Sequence, residues 1–172
     1  MHLDPDPEHD QFPQATKSEN TNLVFFKTVD LSGKFFTDQT GRLPVTSSKD
    51  NKYILVAYHF GSNTIHAEPL KAISGLDLTT TYQKLHRLLT NRGLRPHFHI
   101  LDNESPNVLK RFMREVNKKI QLVPPHIHQR NLAERSIRTF KENFIAGLSS
   151  THKEFPLHLW CRLIPHAILT FN

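Results

Sequence analysis

The chain has 172 residues, 37% of them hydrophobic and 22% charged, with a net charge of +6. That is ordinary for a soluble globular protein and suits one domain with a sizeable core. The one cysteine, Cys161, excludes an internal disulfide framework, and no apolar run is long enough to span a bilayer.

A soluble protein of a reducing, intracellular compartment, nucleus or cytoplasm, is therefore expected, with no membrane partner. The start is acidic and Pro-rich, unlike a signal peptide. Residues 1–20 carry Asp4, Asp6, Glu8, Asp10 and Glu19 against Lys17 alone, a local charge of −4 that leaves +10 for the remainder. Such a basic body points to a polyanionic partner, nucleic acid first and an anionic membrane surface second. The leader, residues 1–23, shows no apolar period and reads as disordered. Residues 24–172 read as the folded part.

Phe35, Phe36 and Thr37 lead into Asp38 as a first strand, extended through Leu43, Val45 and Thr46. Ser48-Lys49-Asp50-Asn51 is a polar turn before the β-prone run Tyr53–Tyr58. Gly61-Ser62-Asn63 turns the chain into a third strand over Thr64–Glu68, which completes an antiparallel meander. Leu78, Tyr82, Leu85 and Leu89 recur at helical spacing, and Gly93 closes that helix. Phe98–Leu101 is a fourth strand ending at Asp102. Ser105 then Pro106 reads as a hydroxyl cap followed by Pro at the first helical position, with Leu109, Phe112, Met113 and Val116 as the buried stripe. Ile120–Val123 is a fifth strand, stopped by Pro124-Pro125. A long helix from Leu132 to Leu148 buries Ala133, Ile137, Phe140, Phe144 and Leu148, and a last helical stretch from Leu157 is interrupted at Pro165. The order βββ-α-β-α-β-α-α implies an α/β fold with a mixed five-stranded sheet flanked by helices.

Three acids sit where this order brings elements together: Asp38 in the first strand, Asp102 ending the fourth, and Glu134 opening the long helix. If strands one and four are neighbours, two carboxylates meet and the helix start supplies a third. Hard oxygen ligands in that arrangement suit Mg²⁺ or Mn²⁺, and two ions roughly 3.5–4 Å apart serve phosphoryl transfer. The same acids also read as solvated surface residues, with Glu134 merely complementing a helix dipole.

Thr-Asp-Gln-Thr-Gly (37–41), Ser-Lys-Asp-Asn-Lys-Tyr (48–53), Leu-Asp-Asn (101–103) and Asn-Leu-Ala-Glu-Arg-Ser-Ile-Arg-Thr (131–139) together resemble the integrase catalytic core of copia-type retrotransposons. The resemblance covers roughly residues 33–172. It implies a ribonuclease H-like fold, an Asp, Asp, Glu triad at Asp38, Asp102 and Glu134, a pair of Mg²⁺ or Mn²⁺ ions, and strand transfer of retroelement DNA ends into target DNA by a homo-oligomer. The pattern departs in two places: 31 residues separate Asp102 from Glu134, a few fewer than usual in that family, and Glu104 stands where a glycine is common.

Arg130, Arg135, Arg138 and Lys141 crowd around Glu134 and read as contacts to DNA phosphates, or otherwise as a solvated helix face. His97-x-His99 and His126-x-His128 invite a zinc reading, but the cysteine partners of a structural site are missing, which favours ordinary strand and loop histidines. Trp160, among Leu157, Leu159 and Leu163, reads as core. The competing functions are a plain ribonuclease H-like nuclease and a degraded, non-enzymatic DNA-binding module. No His/Cys set precedes the core and the sequence stops inside a helical pattern at Thr170-Phe171-Asn172, so a piece of a longer polyprotein is expected.

Overall fold

A computed structural model describes residues 33–102, 105–123 and 131–172. Five strands, β1 (Lys34–Gln39), β2 (Tyr53–His59), β3 (Thr64–Leu70), β4 (Phe98–Asp102) and β5 (Lys119–Val123), form one mixed sheet in the order β3-β2-β1-β4-β5. β1 pairs antiparallel with β2 and parallel with β4, and β4 pairs parallel with β5. Helices α1 (Gly75–Asn91) and α2 (Asn107–Glu115) cover one face. Helices α3 (Asn131–Ser149) and α4 (Ile164–Phe171), with a 3₁₀ segment at Leu157–Arg162, cover the other.

Alternation along the strands sorts the two cores. Phe35, Leu55, Ala57 and Leu101 pack with Leu78, Tyr82, Leu85, Leu89, Leu109 and Met113. Phe36, Ile54, Val56 and Tyr58 pack with Ala133, Ile137, Phe140, Phe144 and Trp160. A sheet covered on both faces explains why β2 reads as an unbroken apolar run rather than an alternating one.

Local chemistry sets the element ends. Ser74 Oγ accepts the Asp77 N–H at 3.1 Å and caps α1. Gly93, at φ +78°, ends it: the Gly93 N–H reaches Thr90 O and the Leu94 N–H reaches Leu89 O, both at 3.0 Å. The Ile65 N–H and C=O face outward from edge strand β3 and are taken by the Asn172 side chain, each bond 2.8 Å long. Pro69, four residues along β3, is on that same outward side, so its missing N–H costs no ladder bond and helps blunt the edge.

Four sequence expectations are corrected. β1 ends at Gln39 and does not continue through Leu43, Val45 and Thr46. Pro44 lacks a donor, Leu43 turns into the core with its N–H on Lys52 O, and Val45 O accepts the Trp160 indole N–H at 2.8 Å. The β1–β2 connection is consequently a long loop, with Ser48–Asn51 only its final turn. In α2 the proline is the N-cap residue, and Ser105 supplies no side-chain cap. Pro165 opens α4 instead of interrupting a helix, because in the first helical turn its absent N–H has no intrahelical partner to lose.

Candidate active site

The sheet order reverses between β1 and β4: from β1 the chain builds toward β2 and β3 on one side, then returns to lay β4 and β5 on the other. In open α/β sheets such a reversal leaves a crevice at the carboxyl ends of the strands. Here those ends carry Asp38 and Asp102. A cavity of about 190 Å³ opens beside Asp38 on the α1–α2 side of the sheet, lined by Thr37, Gln39, Tyr82, Leu101, Pro106 and Leu109 among others. A larger groove of about 450 Å³ between α3 and α4 is apolar and contains no carboxylate.

The parallel β1–β4 ladder runs from Lys34–Phe98 to Phe36–Ile100, and Asp38 and Asp102 each lie two residues beyond its last pair. By the two-residue period of strands, Asp38 belongs to the α3 face, as Phe36 does. The Asp102 side chain lies outside the described atoms, as do Glu104, Arg130, His126 and His128.

Asp38 is held from two sides. Its Oδ1 accepts the Gln39 N–H at 2.9 Å, and its Oδ2 accepts from Lys141 Nζ at 2.8 Å. Lys141 Nζ also donates to Gln39 O at 3.0 Å. The Lys141 side chain is 22% exposed and that of Asp38 44%. This bond fixes α3 over the end of β1. Glu134 lies seven residues toward the start of α3, about two turns, and so occupies the same helix stripe as Lys141. Helix side chains tilt toward the N-terminus, which carries the Lys141 stem in the direction of Glu134. Glu134 is half exposed and, among the described residues, pairs with Arg138 one turn away at 3.6 Å. Arg135 and Arg138 are exposed.

The donors suit a hard divalent cation, since carboxylate oxygens are the ligands Mg²⁺ and Mn²⁺ take. A positive charge, the Lys141 ammonium, already stands against Asp38. Among the described residues no three His, Cys, Asp or Glu side chains form a metal-holding group.

The opposite face of the same strands holds a layer of histidines. His99 is buried, with Nδ1 2.9 Å from the Tyr82 hydroxyl and Nε2 3.3 Å from Thr37 Oγ1. Both ring nitrogens are engaged and His97 is exposed, so this pair forms no zinc chelate. Burial, with His86 and Lys118 adding repulsion, pushes the His99 pKa down to about 3. His66 is lowered to about 4 by burial, then by Arg92 and His59. A chain of hydrogen bonds, His59–Ser62–Thr64–His66, ties the β2–β3 hairpin.

Sequence reading set Lys141 among the phosphate contacts and missed its bond to Asp38. Among the described residues no helix is long and apolar enough to cross a membrane. No protein-family model matches this chain, and no curated protein matches it in sequence.

Proposed function

We propose that this chain is a ribonuclease H-like catalytic core that cuts and joins DNA strands with divalent metal ions, in the manner of the integrases its sequence blocks resemble. One observation supports the reading: Asp38 and Asp102 each lie two residues past the last pair of the parallel β1–β4 ladder, at the sheet's reversal point, and Lys141, two turns after Glu134 on α3, bonds Asp38. Bound Mg²⁺ or Mn²⁺ would supply activation of the attacking oxygen and stabilisation of the leaving one.

The chain's own residues do the rest. Asp38, Asp102 and Glu134 hold the ions. Parallel pairing of β1 with β4 brings the two strand ends side by side, and the Asp38 carboxylate is oriented by the Gln39 N–H. Arg135 and Arg138, exposed on α3 beside Glu134, receive the phosphates that flank the scissile bond, which sets position without reading sequence. Strand transfer in the cell would join retroelement ends to target DNA through a homo-oligomer.

The test is nicking of supercoiled plasmid by the purified chain with Mg²⁺ or Mn²⁺. Nicked product is expected with metal and none in chelator. The Arg135→Ala/Arg138→Ala pair should bind all duplexes more weakly, with the slope of log affinity against log salt flattened by about one per lost phosphate contact. A folded chain that binds DNA but cuts it under neither metal would mark a non-enzymatic binding module instead.

A further inference from the structure

The basic residues of α3 are not equivalent. Arg138 pairs with Glu134 one turn away, a local and exposed contact. Lys141 instead reaches across the fold to Asp38, 103 residues distant in sequence, and bonds both its carboxylate and the neighbouring Gln39 carbonyl. It thus sits on the oxygen that the proposed function assigns to a metal ligand. We infer that Lys141 is a cation-responsive latch: its ammonium neutralises Asp38 in the metal-free protein and is released to a DNA phosphate when a divalent cation binds there. This inference rests on the proposed metal site.

Charge and geometry support it. An ammonium 2.8 Å from Asp38 Oδ2 and a divalent cation on that same oxygen repel each other strongly, so one must leave. Lysine is suited to leaving, being a point charge on a flexible four-carbon stem with no bidentate geometry to break. Its side chain is partly exposed, and Arg138 lies three residues before it on the same helix face, so the freed ammonium joins a phosphate-binding stripe. The latch also prevents an uncompensated carboxylate in the metal-free state. Because coupling between two ligands is reciprocal, DNA must in turn tighten cation binding.

The experiment uses Mn²⁺ and a duplex of arbitrary sequence at fixed ionic strength. Calorimetric titration should show Lys141→Met binding Mn²⁺ roughly three- to tenfold more tightly than the unaltered chain, as a competing cation is gone. Lys141→Arg, which keeps the charge, should not show that gain. Asp38→Asn frees Lys141 without metal. In chelator its DNA-binding salt slope should exceed that of the unaltered chain by about one phosphate contact, and the combined Asp38→Asn/Lys141→Met variant should lose that increment. If Mn²⁺ binding depends on Asp38 but is unchanged in Lys141→Met, the latch is overturned while the metal site stands. If Asp38→Asn binds Mn²⁺ as well as the unaltered chain does, the metal site fails and the latch with it.

Discussion

Asp102→Asn should lower Mg²⁺-dependent DNA cleavage by about a thousandfold, equivalent to about 4 kcal/mol of transition-state stabilisation. The substitution keeps size and hydrogen-bonding shape but removes the charge that a hard cation requires. Asp102 ends β4, and the ladder that holds it there, Phe98 to Asp102 against Lys119 to Val123, is made by backbone groups that the substitution leaves alone. The unfolding free energy measured in urea should therefore change little, by about 0.5 kcal/mol or less. Retained activity in a folded Asp102→Asn protein would remove Asp102 from the site, whereas loss of folding would show the acid to be structural.

Acidification below pH 6.5 should destabilise the folded protein. His99 has a folded pKa near 3 and His66 near 4, both below the ordinary histidine value of 6.5. Above pH 6.5 each is neutral in the folded and unfolded chain, and neither affects stability with pH. As pH falls below 6.5 only the unfolded chain takes up protons, so stability falls by about 1.4 kcal/mol per pH unit for each such group. The slope persists until pH reaches the folded value, where the folded chain protonates too. His99 alone then costs about 2 kcal/mol between pH 6.5 and 5. His66, together with His59 and His86, whose values burial also lowers, acts in the same direction. The groups around His99 are Tyr82 and His86 on α1, Thr37 on β1 and Lys118 ahead of β5, none of them an acid able to stabilise an imidazolium. Urea melts at pH 7.5 and pH 5 measure the loss, and His99→Gln, which keeps a hydrogen-bonding side chain between Tyr82 and Thr37, should remove the His99 share. Equal stability at both pH values would contradict the buried neutral histidine layer.

Much of this architecture was legible from local pattern. The 3.6-residue stripes of Leu78–Leu89 and Ala133–Leu148 located α1 and α3, and the turn residues at 61–63 located the β2–β3 hairpin. The element order alone suggested that the first and fourth strands are neighbours, and β1 and β4 do pair in parallel. What stayed hidden was tertiary. Leu43 and Val45 have strand-like chemistry, yet Trp160 and the start of β2 claim their backbone and side chains. Pro165 looks the same in sequence whether it breaks a helix or begins one. Four histidines scattered over β2, β3, α1 and β4 gave no sign of sharing one buried layer, because only the sheet's alternation and α1's position bring them together. The Lys141–Asp38 bond spans most of the chain, beyond any local rule.

The most direct test of the account is anomalous diffraction from crystals of the protein soaked in Mn²⁺. The account predicts two peaks about 3.5–4 Å apart in the crevice at the ends of β1 and β4, ligated by Asp38 and Asp102 with Glu134 approaching from the start of α3. No peak at Asp38 under saturating Mn²⁺, or an Asp102 carboxylate turned to the α1–α2 side of the sheet, would contradict it.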